Sequence, residues 1–342
     1  MATEYAYQKQ TIEELMFAKP KPMIERIGRD SRVLSWSTTT KVTITVLTLL
    51  AVFLEHLFTF KLLRYIPLYL CTHWLTSVVS VLIFHLLAKR KSSYNFDDGA
   101  KGGLVHRIPL LIFYIITVYI SETDLATQVN SQGPSAFLVN LCLSPLIVTA
   151  ALTCFIQEQT ASWVSALTVT YSGMMLMTVC SDDGSCYVSF KDAAFNVAFT
   201  AFYGMYIVKI AQSLHELSVG HVLLLVNTAS AALVPGLIMF SREGEIISSN
   251  PSIVMELVKP SVIVPLIFLK LFEMITMLLH IKITGVTTHV LTRNLAWIPT
   301  CISIGIVGKV ELMVSSFKAY WIVLGSYILY VIPDDHDTKR PR

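Results

Sequence analysis

Apolar and polar positions alternate along this chain in long blocks. Stretches of about 20 predominantly apolar residues, the length a helix needs to cross a hydrocarbon core, are separated by short polar segments. They predict ten helices, at 42–60, 66–88, 104–120, 135–156, 162–180, 193–210, 219–240, 262–280, 287–307 and 315–332. Polar tails flank them at 1–41 and 333–342, and a turn-rich linker lies at 181–192. The first forty residues show no cleavable signal pattern, so the first helix is expected to act as an uncleaved anchor.

Part of this pattern is repeated. Asn140-Leu141-Cys142-Leu143-Ser144-Pro145 returns as Asn294-Leu295-Ala296-Trp297-Ile298-Pro299, and Glu158 and Gly173 have counterparts at Glu311 and Gly325. The shared spacing implies two related halves, 42–180 and 193–332, as transporter folds often have. Five helices per half is odd, so the second half would enter the membrane from the opposite face. The expected fold class is therefore an all-α membrane protein of ten transmembrane helices in two inverted five-helix repeats.

Composition agrees with lipid as the main solvent: 54% of residues are hydrophobic and 14% charged, with a mean hydropathy of +0.62. The net charge of +3 is too small, and its basic residues too scattered, to suggest nucleic-acid binding. With both termini in the cytosol, most Lys and Arg outside the helices fall on the cytosolic side, as the positive-inside rule requires. Cys180 and Cys186 bracket a turn that this topology places on the lumenal or extracellular side, where either a disulfide or two free thiols is compatible. No His, Cys and carboxylate grouping has zinc spacing, and no cofactor motif or nucleophile–base pair points to an enzyme.

The informative residues are those that lipid should exclude, since an ionisable group at the centre of a membrane helix costs about 2.5–3.5 kcal/mol on insertion scales. His289, Arg293, Trp297 and Thr300 recur at helical spacing and share a face. Arg293 could grip an anion through two parallel hydrogen bonds, or pair with Glu273 or Glu55 to hold helices together. Lys270, Glu273, Met277 and His280 form a second face, on which Lys270 and Glu273 could pair internally or line a cavity. His280 is expected at the cytosolic interface. Glu55 and His56 are adjacent and thus point differently, while His73 and His85 read as structural. Asn140 and Asn294 each precede a proline by five residues; the freed carbonyls of Leu141 and Leu295 need cavity water or neighbouring helices.

These residues resemble the nucleotide-sugar transporter and triose-phosphate translocator family of the drug/metabolite transporter superfamily, over roughly 42–332. The likeness rests on the segment from Phe60-Lys61 to Trp74, on Ser144-Pro145 with Glu158 and Gly173, and on Glu311 to Gly325. The run from Ile281 to His289 is most similar to GDP-fucose transporter-like members, and Asn227, Tyr203 and Tyr206 fall where relatives carry Asn and Tyr. Where relatives carry lysines, this chain has Leu141 and either Ala296 or Trp297, so that charge is absent or sits one turn away at Arg293.

The resemblance implies an antiporter exchanging a nucleotide sugar for a nucleoside monophosphate across a Golgi or endoplasmic reticulum membrane. Its substrate site would comprise Arg293, Asn294, His289, Asn227, Tyr203, Tyr206, Asn140, Lys270 and Glu273. Transport of another small metabolite and a transport-inactive scaffold are the alternatives. The expected partners are a small-molecule substrate and the bilayer, with homodimerisation left open.

Overall fold

The computed structural model describes residues 36–63, 65–90, 107–131, 190–286, 288–290, 292, 293, 295, 296, 303 and 321. These residues form α1 (Thr38–Leu63), α2 (Tyr69–Arg90), α3 (Ile108–Ser131), α4 (Phe190–Glu216), α5 (Val219–Phe240), α6 (Arg242–Ser249), α7 (Ser252–Val258) and α8 (Pro260–Thr284). A further helical stretch follows α8 and carries His289, Thr292 and Arg293.

The all-α part of the expectation holds among these residues, but ten spans in two five-helix repeats do not. Four described helices are long and apolar enough to cross a membrane: α1 over Thr38–Thr59, α2 over Tyr69–Leu86, α5 over Val219–Phe240 and α8 over Pro260–Thr284. The length and composition are those of a multi-pass membrane protein. In α3 the apolar helix is shorter, Ile108–Ile120. Although α4 is long, its second half carries Lys209, Gln212 and His215, and it is not among the spans. The expected spans at 135–156 and 162–180 lie outside the described residues, as do Cys180 and Cys186, and of 315–332 only residue 321 is described. The most extensive helix pairs are α2 with α5, α1 with α8 and α3 with α4. Each joins one expected repeat to the other, so the described parts of the two halves interleave.

Side-chain placement follows lipid as solvent. Val42, Val46 and Leu50 share the exposed face of α1, and Phe268 (66% exposed) and Phe240 (88%) stand on the outside of α8 and α5. The polar groups turn inward instead: Thr48, His56, Thr76, Ser80, Asn227 and Lys270 are buried. This arrangement satisfies both requirements of a bilayer, apolar contact outside and hydrogen-bonded polar groups within.

Local chemistry sets the helix junctions. Ser218 caps α5, its Oγ accepting from the His221 amide at 3.3 Å. Inside α5, Pro235 cannot donate to the carbonyl of Ala231, four residues earlier. That carbonyl instead accepts the Trp74 indole N–H at 3.1 Å, which ties α2 to α5 at the break. Pro260 occupies the first turn of α8, where a missing N–H does no harm. Gly285 ends α8 with φ +94°, a conformation costly for any residue with a Cβ. The chain then turns so that His289 meets His280.

The segment between α5 and α8 forms a second, smaller core with the start of α2. Leu62, Ile66, Leu68, Cys71, Leu257 and Leu266 bury one another there. Its polar centre is Glu243, 2% exposed. The Glu243 carboxylate accepts from the Leu70 amide at 2.6 Å and the Cys71 amide at 3.0 Å. Both amides belong to the first turn of α2, where no intrahelical partner exists and the helix dipole favours an anion.

Candidate functional site

Charged and polar side chains from α1, α2, α3, α4, α5, α8 and the stretch after α8 converge on one partly open cavity of about 120 Å³. An apolar protein cavity of about 150 Å³ holds a molecule the size of benzene. The space therefore suits a solute of a few heavy atoms.

A buried ion pair in it joins positions 215 residues apart. Lys270 on α8 donates to Glu55 on α1 at 2.8 Å, with the two side chains 10% and 13% exposed. Thr59, one turn along α1, donates to the same carboxylate oxygen at 2.9 Å. Lys270 also lies 5.1 Å from the ring centre of Tyr69 on α2, a favourable cation–π distance. Of the two readings of Lys270, the internal pair with Glu273 is corrected: Lys270 pairs with Glu55, and Lys270 and Glu273 both line the cavity.

Glu273 lies one turn from Lys270 on the same helix and lines the cavity. Among the described residues no hydrogen bond or ion pair reaches its carboxylate. Asn227 on α5 faces the same space and is 1% exposed. Its Nδ2 donates to the carbonyl of Leu223 at 2.8 Å, which fixes the amide orientation, and also approaches the Met274 sulfur at 4.0 Å. Its Oδ1 is buried with no partner among the described residues. Across α4, Tyr203 and Tyr206 are buried at the wall, and Arg293 places its guanidinium carbon 4.5 Å from the Tyr203 ring centre.

Several lining groups carry no sequence expectation of a site. His56 donates its Nδ1–H to the Val52 carbonyl at 2.6 Å, and His73 shares a 2.7 Å hydrogen bond with the Tyr114 hydroxyl. Tyr69, Tyr114, Thr76, Ser77 and Thr117 complete the polar wall. Helical spacing held a signal for some of them, since Glu55 and Thr59, and His73, Thr76 and Ser77, recur three and four residues apart.

His280 and His289 stand apart from the cavity lining. Both are fully buried among protein side chains, at 0% exposure. Their Nδ1 atoms are 3.1 Å apart, and His280 Nε2 lies 3.1 Å from the Thr45 hydroxyl. Thr45 donates its own hydroxyl proton to the Lys41 carbonyl at 2.8 Å, so its oxygen accepts from His280. In neutral rings this orders the pair: His280 carries its proton on Nε2, and His289 donates from Nδ1. The His289 Nε2 is left buried with no partner among the described residues. Asn140, Asn294, Trp297 and Thr300 lie outside the described residues, so the proline-broken helices expected around them are not part of this site description.

No family model matches the chain, and no curated protein matches it. In fold it is similar to a solved protein crystal structure, at 13% sequence identity and a TM-score of 0.51. The match covers 86% of this chain and 97% of that chain. At such identity the likeness concerns the fold alone.

Proposed function

We propose that this chain is a membrane transporter of a small polar metabolite, and that the cavity between α1, α5 and α8 is its substrate site. The observation carrying this reading is a charged, hydrogen-bonding cavity lined in large part by apolar membrane-length helices. Ionisable groups are expensive in such helices and mark substrate or ion pathways by default. The site draws on residues far apart in sequence, from Glu55 to Arg293. Kinship with the nucleotide-sugar transporter and triose-phosphate translocator family, residence in a Golgi or endoplasmic reticulum membrane and cytosolic termini belong to the same proposal.

Nucleotide-sugar exchange is a second reading, favoured by Arg293 at the cavity wall beside Tyr203, where a guanidinium could hold phosphate and a ring could stack a base. Two features weigh against it. Lys270 is neutralised by Glu55, and a cavity of about 120 Å³ is below the roughly 300–1,000 Å³ of sites that enclose larger ligands. Purified protein in liposomes, loaded in turn with small amino acids, sugar phosphates and nucleotide sugars, tests both readings by tracer exchange. Exchange of any small solute that Lys270→Met diminishes supports transport through this cavity. Exchange confined to nucleotide sugars would replace the first reading by the second.

A further inference from the structure

We infer that the cavity receives a small organic cation through a primary ammonium group, held by the Glu273 carboxylate and Asn227 Oδ1. The inference rests on the transporter reading and deepens it by naming the substrate class.

The cavity already shows how it holds an ammonium. Lys270 Nζ lies 2.8 Å from a Glu55 carboxylate oxygen and 5.1 Å from the centre of the Tyr69 ring. A carboxylate and an aromatic face are the two kinds of partner that compensate a buried cation. Glu55 is thereby committed to Lys270, with Thr59 on the same oxygen. Arg293 is engaged within the wall, its guanidinium over the Tyr203 ring, and is not available to a solute.

Glu273 repeats the acidic half of this chemistry one turn along α8. Its carboxylate lines the cavity, and among the described residues no hydrogen bond or ion pair reaches it. A carboxylate without a counter-charge is costly in a membrane helix, and a cation carried by the solute offsets that cost. The neighbouring wall adds a second acceptor. Asn227 is 1% exposed and its Nδ2 is committed to the Leu223 carbonyl at 2.8 Å, while its Oδ1 is buried without a donor among the described residues. The same Nδ2 approaches the sulfur of Met274, the residue after Glu273, so both acceptors belong to the wall that α5 and α8 share.

A buried amide oxygen calls for a ligand that brings N–H groups. A primary ammonium brings three, enough for both acceptors, and a quaternary ammonium brings none. Tyr114 and Tyr206, with ring centres 5.1 Å apart, line the same space and offer faces that attract an organic cation. A bare metal ion would instead ask for a cage of closely spaced oxygens. A volume of about 120 Å³ limits the carrier to a few heavy atoms, and an anion would set its charge against Glu273.

The test is equilibrium counterflow at neutral pH in liposomes containing the full chain, with protein-free liposomes as background. The labelled probes are ethanolamine, tetramethylammonium, sodium ion, glycolate and GDP-mannose. Ethanolamine exchange should exceed that of tetramethylammonium, which has the charge without N–H donors, and of glycolate, which has the opposite charge, by about tenfold or more. Glu273→Gln should lower ethanolamine exchange by about tenfold and Glu273→Asp by less, whereas Asn227→Leu should narrow the margin over tetramethylammonium. Monodisperse elution and retained thermal unfolding separate these effects from misfolding, and if a variant does not fold, the ranking of probes on the unaltered chain decides. Ethanolamine exchange unchanged in well-folded Glu273→Gln overturns the inference, as does equal exchange of tetramethylammonium. Exchange of glycolate, sodium ion or GDP-mannose without ethanolamine also overturns it and leaves the transporter reading standing. Exchange of none of these probes by well-folded protein overturns the ammonium; if the amino acids and sugar phosphates of the broader panel are not exchanged either, the transporter reading falls with it.

Discussion

Two buried carboxylates, Glu55 in the cavity and Glu243 at the start of α2, solve the same electrostatic problem differently. Glu243 is held by backbone amides of a helix end, donors that cannot rotate away, supported by a helix dipole. Glu55 is held by the side chains of Lys270 and Thr59, both able to change rotamer. The first solution is suited to permanence. The second can be remade if helices shift, as the proposed transport role requires.

The sharpest way to break the comparison is to remove the Lys270 ammonium. Lys270→Met leaves Glu55 buried with Thr59 as its remaining partner, and breaking such a pair on one side costs about 3–5 kcal/mol. Glu55→Met together with Lys270→Met removes both charges and should recover most of that loss. Thermal unfolding of the detergent-purified variants measures the difference. Equal destabilisation by the single and the double change would mean that Lys270 acts through packing.

At the other end, Glu243→Ala exposes two amides at the start of α2 and should cost about 2 kcal/mol, the worth of hydrogen bonds to a charged group. Glu243→Gln, with one acceptor oxygen, should fall between. Because Glu243 lies outside the cavity lining, solute exchange per folded molecule should be unchanged. Altered solute selectivity at full folding would give this carboxylate a part in the site. Gly244→Ala tests the same junction by shape: its Cβ would meet the Ile238 carbonyl oxygen at 2.5 Å, and forcing backbone apart there should cost about 1–3 kcal/mol in the same melt.

The uneven reach of the sequence follows from where each interaction is written. The bounds expected for the seventh span, 219–240, are those of α5, and 262–280 falls within α8, because about 20 apolar residues in a row have few alternatives to a membrane helix. The short helices α6 and α7 were not anticipated, since eight and seven residues carry too few turns for a periodic signal. Tyr203, Tyr206, Asn227, Lys270, Glu273 and Arg293 all line the cavity; the three charged residues stand out in apolar text, whereas Asn227 and the two tyrosines are expected only through the family resemblance. Their partners are not readable in the same way. The Lys270–Glu55 pair spans 215 positions and the Glu243 cap 173, whereas spacing rules couple only residues three or four apart.

Trp74→Phe probes the α2–α5 contact that Pro235 makes available. Losing the indole N–H leaves the Ala231 carbonyl without donor in the middle of a helix, at a cost of about 1 kcal/mol. The double change with Pro235→Ala restores an intrahelical donor and should recover part of it. Independent, additive effects would show that the indole and the proline do not share this carbonyl.

Lys259 and Glu256 complete the comparison from the weak side. Their ion pair, at 2.5 Å, is shorter than the 2.8 Å Lys270–Glu55 pair, yet the two side chains are 53% and 55% exposed. An exposed pair three residues apart gains little over hydration and is screened by salt, so Lys259→Ala should change stability by about 0.5 kcal/mol or less. High salt should abolish even that, while leaving the buried pair's contribution nearly intact. If the two lysine substitutions proved equally damaging, or equally salt-sensitive, the cavity would be as wet as the surface.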